Sequence, residues 1–220
     1  MPSQFHTTLV PKLYPILDMG LLDACGIEVS IYAKELHDAG VDILQYRNKQ
    51  GIDAEILRDA HLLRTLFADT PTRLILNDRA DLVAQAKFHG VHVGQSDMDL
   101  AAARGHIGEL AILGVSTHTL EQIAVADATD CDCIAYGPIF ATVSKDNPDP
   151  VVGLEGLRAA RRATNKPLVA IGGITRANCR SVLDSGADSI AIISELLPRQ
   201  KSFHAGSVQQ IVEEFLALLA

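Results

Sequence analysis

At 220 residues, 48% of them apolar, the chain can build a sizeable hydrophobic core, and dominant disorder is excluded. A net charge of −8 speaks against a nucleic-acid or anionic-membrane surface as its main business, while leaving room for a local cationic pocket. No apolar run reaches the ~18 residues of a membrane span, and MPSQFHTTLVPKLYP lacks the charged-then-apolar layout of a secretory leader, so a soluble, cytoplasmic protein is expected.

One unit repeats along the chain: a short apolar strand, a polar turn, an amphipathic helix. The first strand is Leu13–Leu17, and a helix over Ile27–Ala39, with Ile27, Ile31 and Leu36 at helical spacing, stops at Gly40. Strand Asp42–Tyr46 leads to helix Ala54–Phe67, strand Arg73–Leu76 to helix Ala80–Lys87, and strand Gly90–Val93 to helix Leu100–Ile107. Strand Ala111–Val115 and helix Leu120–Ala128 follow, then strand Cys133–Tyr136. A polar, proline-bearing stretch over Ser144–Gly153 sits next, where a loop over an active site would lie, before helix Leu154–Ala163. Strand Pro167–Ile171 precedes a helix over Arg176–Asp184, expected to be capped by Thr175 and to end at Ser185-Gly186. Strand Ser189–Ile193 and helix Val208–Leu219 close the chain.

Eight Val-, Ile- and Leu-rich strands with little alternation, each followed by a helix, read as parallel strands covered on both faces. The expected fold is α/β, a (β/α)8 TIM barrel, with an open doubly wound sheet as the alternative. No linker separates a second domain, so residues 1–220 are expected to form one domain, with 1–11 as an N-terminal extension and 198–220 as a C-terminal loop and helix. The cysteines Cys25, Cys131, Cys133 and Cys179 form no C-x-x-C pair and read as small buried thiols.

In such a barrel, chemistry gathers where the strands end. After the second strand, Gln45, Arg47 and Lys49 share one side if the strand continues, and a guanidinium with an ammonium suits a polyanion such as pyrophosphate; the bland reading is a solvated basic strand end. Asn77-Asp78 ends the third strand, and G-Q-x-D, with Asp97, ends the fourth. Two carboxylates from neighbouring strands can hold Mg2+ while the metal grips substrate phosphates, although either Asp could instead cap the helix that follows. Gly172-Gly173, after the seventh strand, and Ser194, after the eighth, occupy the recurrent phosphate position of the barrel. Thr142, Ser144 and Lys145, in the long loop, add hydroxyls and a cation. Ser116 and His118 lack a G-x-S-x-G elbow and an orienting acid, so a hydrolase triad is rejected; His92, in V-H-V, reads as a packed histidine, or one that supports a site residue, rather than a metal ligand, and His89 with His92 makes no zinc pair.

The motifs Q-Y-R-N-K, I-L-N-D-R, G-V-H-V-G-Q-S-D, L-G-V-S-T-H-T, Y-G-P-I-F-A-T-V-S-K, A-I-G-G-I-T and G-A-D-S-I-A-I-I-S, taken in this order over Leu13 to Leu197, resemble the thiamine-phosphate synthase family. The resemblance implies a transferase that joins a hydroxymethylpyrimidine pyrophosphate to a thiazole phosphate, releasing pyrophosphate. It implies Mg2+ on Asp78 and Asp97, and pyrophosphate held by Arg47, Lys49, Asn77, Ser116 and Lys145. Gln45 would hold the pyrimidine, and Thr142, Ser144, Gly173, Ile193 and Ser194 the thiazole phosphate. Catalysis would fall to Arg47, Lys49, Ser116 and Lys145.

Three departures from the family pattern stand out: Y-P-I-L-D in the first strand, Ala141 and Ser144 where the family usually carries proline and threonine, and the D-N-P-D-P-V-V that follows Lys145. They bear on loop closure and rate more than on reaction type. Two other readings share the phosphate site: a thiazole tautomerase, for which His118 could serve as acid/base, and a non-catalytic thiamine-phosphate-binding protein. The retained Arg47, Lys49, Asn77, Asp78, Asp97 and Lys145 favour the synthase. Small-molecule substrates are the expected partners, without nucleic acid or membrane, and no feature compels a homodimer.

Overall fold

The computed structural model describes residues 10–142, 149–198 and 203–220. Strands β1 (Leu13–Asp18), β2 (Ile43–Arg47), β3 (Arg73–Asn77), β4 (Gly90–Val93), β5 (Ile112–Thr117), β6 (Cys133–Tyr136), β7 (Leu168–Ile171) and β8 (Ser189–Ile192) pair in parallel, each with the next, and β8 returns to β1 to close the barrel. The open sheet is thereby ruled out. The expected strands all appear: Gly90–Val93 and Cys133–Tyr136 keep their bounds, and the other six shift at an end by one or two residues.

Around the barrel run α1 (Met19–Cys25), α2 (Val29–Asp38), α3 (Asp53–Leu66), α4 (Val83–Ala86), α5 (Leu100–Ile107), α6 (Leu120–Asp127), α7 (Gly153–Ala163), α8 (Cys179–Leu183) and α9 (Ser207–Leu219). Three helices depart from expectation. Helix α1 is too short and too glycine-bearing to show a period, yet Asp18 caps it by accepting from the Leu21 amide at 2.9 Å. The Ala80–Lys87 segment divides into a 3-10 turn over Ala80–Leu82 and the single turn of α4.

The helix expected over Arg176–Asp184 starts only at Cys179, and the Thr175 side chain does not cap it. Asn178 explains the delay. Its Oδ1 accepts from the Thr175 amide at 2.7 Å and its Nδ2 donates to the Gly173 carbonyl at 3.1 Å, so 173–178 is held as a turn.

Apolar side chains form two layers. One, including Leu17, Leu44, Leu76, Val91, Leu113, Ile134, Leu168 and Ile190, faces outward beneath the helices. The other, including Tyr14, Ile16, Ile43, Ile75, Cys133, Ala135, Val169 and Ala191, fills the barrel interior. The last helix is tied to the ring by Glu35 on α2. This buried carboxylate accepts from the amides of Gly206, Val208 and Gln209, supplying the cap that the α9 N-terminus lacks. Cys131, Cys133 and Cys179 are buried as expected, but Cys25, at the end of α1, is exposed.

Candidate functional site

A cavity of about 610 Å³ opens where the strands end. Every strand contributes to its wall: Tyr14, Gln45, Asn77, His92, Ser116, Ala135, Val169 and Ala191, from β1 to β8 in turn. Small residues on β6 and β8 leave the space that bulkier side chains would fill in a closed interior.

Strand β2 delivers the basic side. Gln45 is buried and donates from Nε2 to the Tyr14 hydroxyl at 3.3 Å. Arg47 is the last residue of the strand, so Lys49 lies beyond it in a bend rather than on the same strand face; all three nevertheless line the cavity. The Arg47 guanidinium pairs through one nitrogen with Asp18, whose other oxygen caps α1. Parallel register places Asp18 directly beside Arg47 and accounts for the pairing. Burial pushes the Tyr14 phenol well above its ordinary range, so it stays neutral.

The acidic side faces it. Asp78 follows β3 in left-handed backbone, at φ 62°, a conformation uncommon for a residue with a side chain, and its amide donates to the His92 carbonyl at 2.8 Å. Asp97 is held by the Gly94 amide, which donates to its Oδ2 at 2.9 Å. Neither side chain caps a helix: Arg79 begins the turn after β3, and Asp99 caps α5.

The Lys49 ammonium pairs with Asp78 and lies 4.0 Å from Asp97. Burial first, and the neighbouring Asp97 carboxylate after it, raise the Asp78 acid above the usual carboxylate range against the pull of Lys49. Among the described residues no group of three or more His, Cys, Asp or Glu side chains could hold a metal ion. Mg2+ commonly needs only one or two protein carboxylates when substrate phosphates and water complete its octahedron, and this crowded pair fits that demand.

On β4 and β5, His92 Nε2 lies 3.0 Å from Ser116 Oγ, and Gln95 donates to the Ser116 carbonyl at 2.7 Å. Burial pushes the His92 imidazole down to about 4, so it is neutral. It is buried and touches the Ser116 hydroxyl, and His89 is engaged elsewhere, with Nδ1 accepting from the Leu74 amide. His118 also lines the cavity. Its Nδ1 lies 2.7 Å from the Gly137 carbonyl and its Nε2 3.3 Å from Asp149, a residue of the long loop.

Across the mouth, Gly172 and Gly173 take positive φ, 100° and 63°, and a side chain on Gly173 would come within 2.5 Å of the Ala141 carbonyl. Thr142, Gly173, Ile193 and Ser194 all line the cavity, with Thr175 beside them. The expected helix N-terminus is not there, because α8 starts late; this side of the cavity is formed by the glycine turn and the 3-10 turn over Ser194–Leu196. Ser144 and Lys145 lie outside the described residues.

The cavity thus brings together every described residue expected to catalyse, to bind substrate or to hold metal. Sequence reasoning missed the supporting contacts: Tyr14 on Gln45, Asp18 on Arg47, Asn178 on the glycine turn, and Asp149 on His118. Of these only Asp18 left a local signal, as an Asp between a strand and a short helix.

Comparison with known proteins places the chain as a whole in a family. The family model described as Thiamine monophosphate synthase matches residues 13–196. A thiamine-phosphate synthase of Koribacter versatilis is 54% identical over 200 residues, covering 88% of this chain and 93% of that protein. One from Chloroflexus aurantiacus is 39% identical over 186 residues, covering 84% and 85%. Among solved structures, a thiamine phosphate pyrophosphorylase from Pyrococcus furiosus superposes with a TM-score of 0.79 at 30% identity, covering 94% of this chain and 95% of that one.

Proposed function

The chain belongs to the thiamine monophosphate synthase family, and from that premise we propose how its cavity carries out the family's reaction. The enzyme is a transferase that joins a hydroxymethylpyrimidine pyrophosphate to a thiazole phosphate, giving thiamine phosphate and pyrophosphate. The carbon–oxygen bond to pyrophosphate breaks with its electron pair leaving on oxygen. The electron-rich aminopyrimidine stabilises the methylene cation, and the thiazole nitrogen lone pair forms the new carbon–nitrogen bond. No covalent enzyme intermediate is required.

Departure of pyrophosphate is the step to assist, and the carrying observation is the convergence of Arg47, Lys49, Asp78 and Asp97 on one side of the cavity. Asp78 and Asp97 would hold Mg2+, which when bound supplies positive charge to the leaving oxygens. Arg47, Lys49 and Asn77 bind the pyrophosphate and stabilise the charge that grows on it, with Ser116 alongside. Asp18 on Arg47 and Asp78 on Lys49 keep the two cations in place before substrate arrives.

Gln45, fixed by Tyr14, reads the pyrimidine. Thr142, Gly173, Ile193 and Ser194 take the thiazole phosphate on the opposite side of the mouth. The two phosphate-bearing groups therefore enter from different strands, and the reacting atoms meet between them. Lys145 is assigned to the pyrophosphate and Ser144 to the thiazole phosphate on the family resemblance alone.

The working unit is one domain over residues 1–220, acting on small molecules in the cytoplasm. Among the described residues no helix is long and apolar enough to cross a membrane.

Calorimetric titration with inorganic pyrophosphate tests the charged side of the site. Binding should require Mg2+, and Asp78→Asn should weaken it at least ten-fold. Equal binding with and without the metal would overturn the assignment of Asp78 and Asp97.

A further inference from the structure

His92 lies in the cavity wall with one ring nitrogen engaged and the other bare. Nε2 meets Ser116 Oγ at 3.0 Å, whereas Nδ1 is buried with no hydrogen-bond partner among the described residues. Gly114 on β5 explains how the ring fits: a Cβ there would stand 2.4 Å from Nδ1, so the ring occupies the space that any side chain would take. What Nδ1 faces is therefore a glycine C–H. A C–H can approach a nitrogen lone pair as a weak donor, but an N–H directed at it would find no acceptor. Buried N–H groups without a partner are also rarer in folded proteins than under-used acceptors.

The neutral ring accordingly carries its proton on Nε2 and donates it to Ser116 Oγ. That bond uses the serine oxygen as an acceptor, so the serine's own O–H turns away from the ring. Gln95 fixes the backbone at the same residue through the Ser116 carbonyl, at 2.7 Å.

We propose that His92 is a positioning residue: by donating from Nε2 it sets the Ser116 hydroxyl as a hydrogen-bond donor into the cavity, aimed at the pyrophosphate leaving group. The part concerning pyrophosphate rests on the reaction assigned above; the tautomer does not. The arrangement gives the neutral hydroxyl a single direction before charge develops on the leaving group, which is the form of preorganisation that counts in such a step.

Long-range proton–nitrogen correlation spectra of the 15N-labelled, ligand-free protein, with His92→Gln used for assignment, read the tautomer directly. Protonation on Nε2 alone is expected; protonation on Nδ1, or on both nitrogens, overturns the proposal. Kinetics provide the second arm. His92→Phe should lower kcat about ten-fold, the size of one lost hydrogen bond in the transition state, and leave KM for the thiazole phosphate unchanged. His92→Gln, whose amide can donate from nearly the same place, should recover most of the loss. On a Ser116→Ala background the His92→Phe loss should vanish. Independent, multiplying losses, or a glutamine variant as slow as the phenylalanine one, would refute action through Ser116. A wild-type protein that makes no thiamine phosphate would fail the assigned reaction instead, and the tautomer would still be decided by the spectra.

Discussion

Where the strands begin, Arg104 on α5 donates to Asp130, to Asp132 and to the carbonyls of Gly108, Ala111 and Asp130, while Asp132 also accepts from the Leu113 amide at 2.7 Å. Arg161 on α7 repeats the device with Asp188, which accepts from the Leu168 amide at 2.8 Å, and with the carbonyls of Thr164 and Lys166. Where the strands end, the same residue types are arranged differently. Arg47 meets Asp18 through one nitrogen, and Lys49 stands beside two carboxylates that crowd one another. Asp78 sits there in left-handed backbone. At the first end the charges are spent on carbonyls and strand-start amides and hold elements together. At the second they meet carboxylates, and the proposed phosphate and metal would take over those partners. An Arg–Asp pair is therefore structural or functional according to how many backbone groups it also satisfies.

The largest expected effect breaks the mouth. Asp97→Asn or Arg47→Ala should lower turnover by roughly 10²–10⁴-fold, with the thermal midpoint nearly unchanged; a variant with unaltered rate would remove that residue from the mechanism. Gly173→Val comes next. Its side chain would collide with the Ala141 carbonyl and the Phe140 side chain in backbone that disfavours it, so half-saturation by the thiazole phosphate should rise about ten-fold or more. Unchanged saturation would remove the glycine turn from the phosphate site.

The bottom of the barrel should give the reverse result. Arg104→Ala leaves several acceptors unpaired and should cost about 2 kcal/mol, or roughly 4–8 °C of thermal midpoint in a chain of this size, with kcat/KM within about two-fold of wild type. A loss of activity without loss of stability would contradict the comparison.

The mildest test concerns what separates the two ends. Cys133 lies in the barrel interior, where burial pushes its thiol up to about 12. At neutral pH an alkylating reagent should modify Cys25 in the folded protein and reach Cys131, Cys133 and Cys179 only on unfolding. Prompt modification of Cys133 would mean that the interior layer is open to solvent.

The barrel was legible because eight unalternating apolar strands leave few alternatives, and the polar residues after each strand could be collected without knowing any contact. What escaped the sequence was which way each strand residue points. A strand buried on both faces shows no polarity period, so Tyr14, facing the cavity, and Leu17, facing the helices, look alike. The partners of the site residues escaped for a related reason. Asp18 reaches Arg47 only through strand register, and Asp149 meets His118 only after the chain has passed β6. Asn178 misled the helix assignment because its side chain competes with helix for the backbone at Thr175. Locally, T-R-A-N-C reads equally well as a capped first turn.

The most direct test of the account is turnover itself. Purified protein is mixed with the hydroxymethylpyrimidine pyrophosphate, the thiazole phosphate and Mg2+, with and without EDTA, and thiamine phosphate is followed by mass spectrometry. The account predicts product that appears with metal, disappears with EDTA and is nearly lost in Asp97→Asn. Folded protein that makes no thiamine phosphate, or makes it equally well in EDTA, would contradict it.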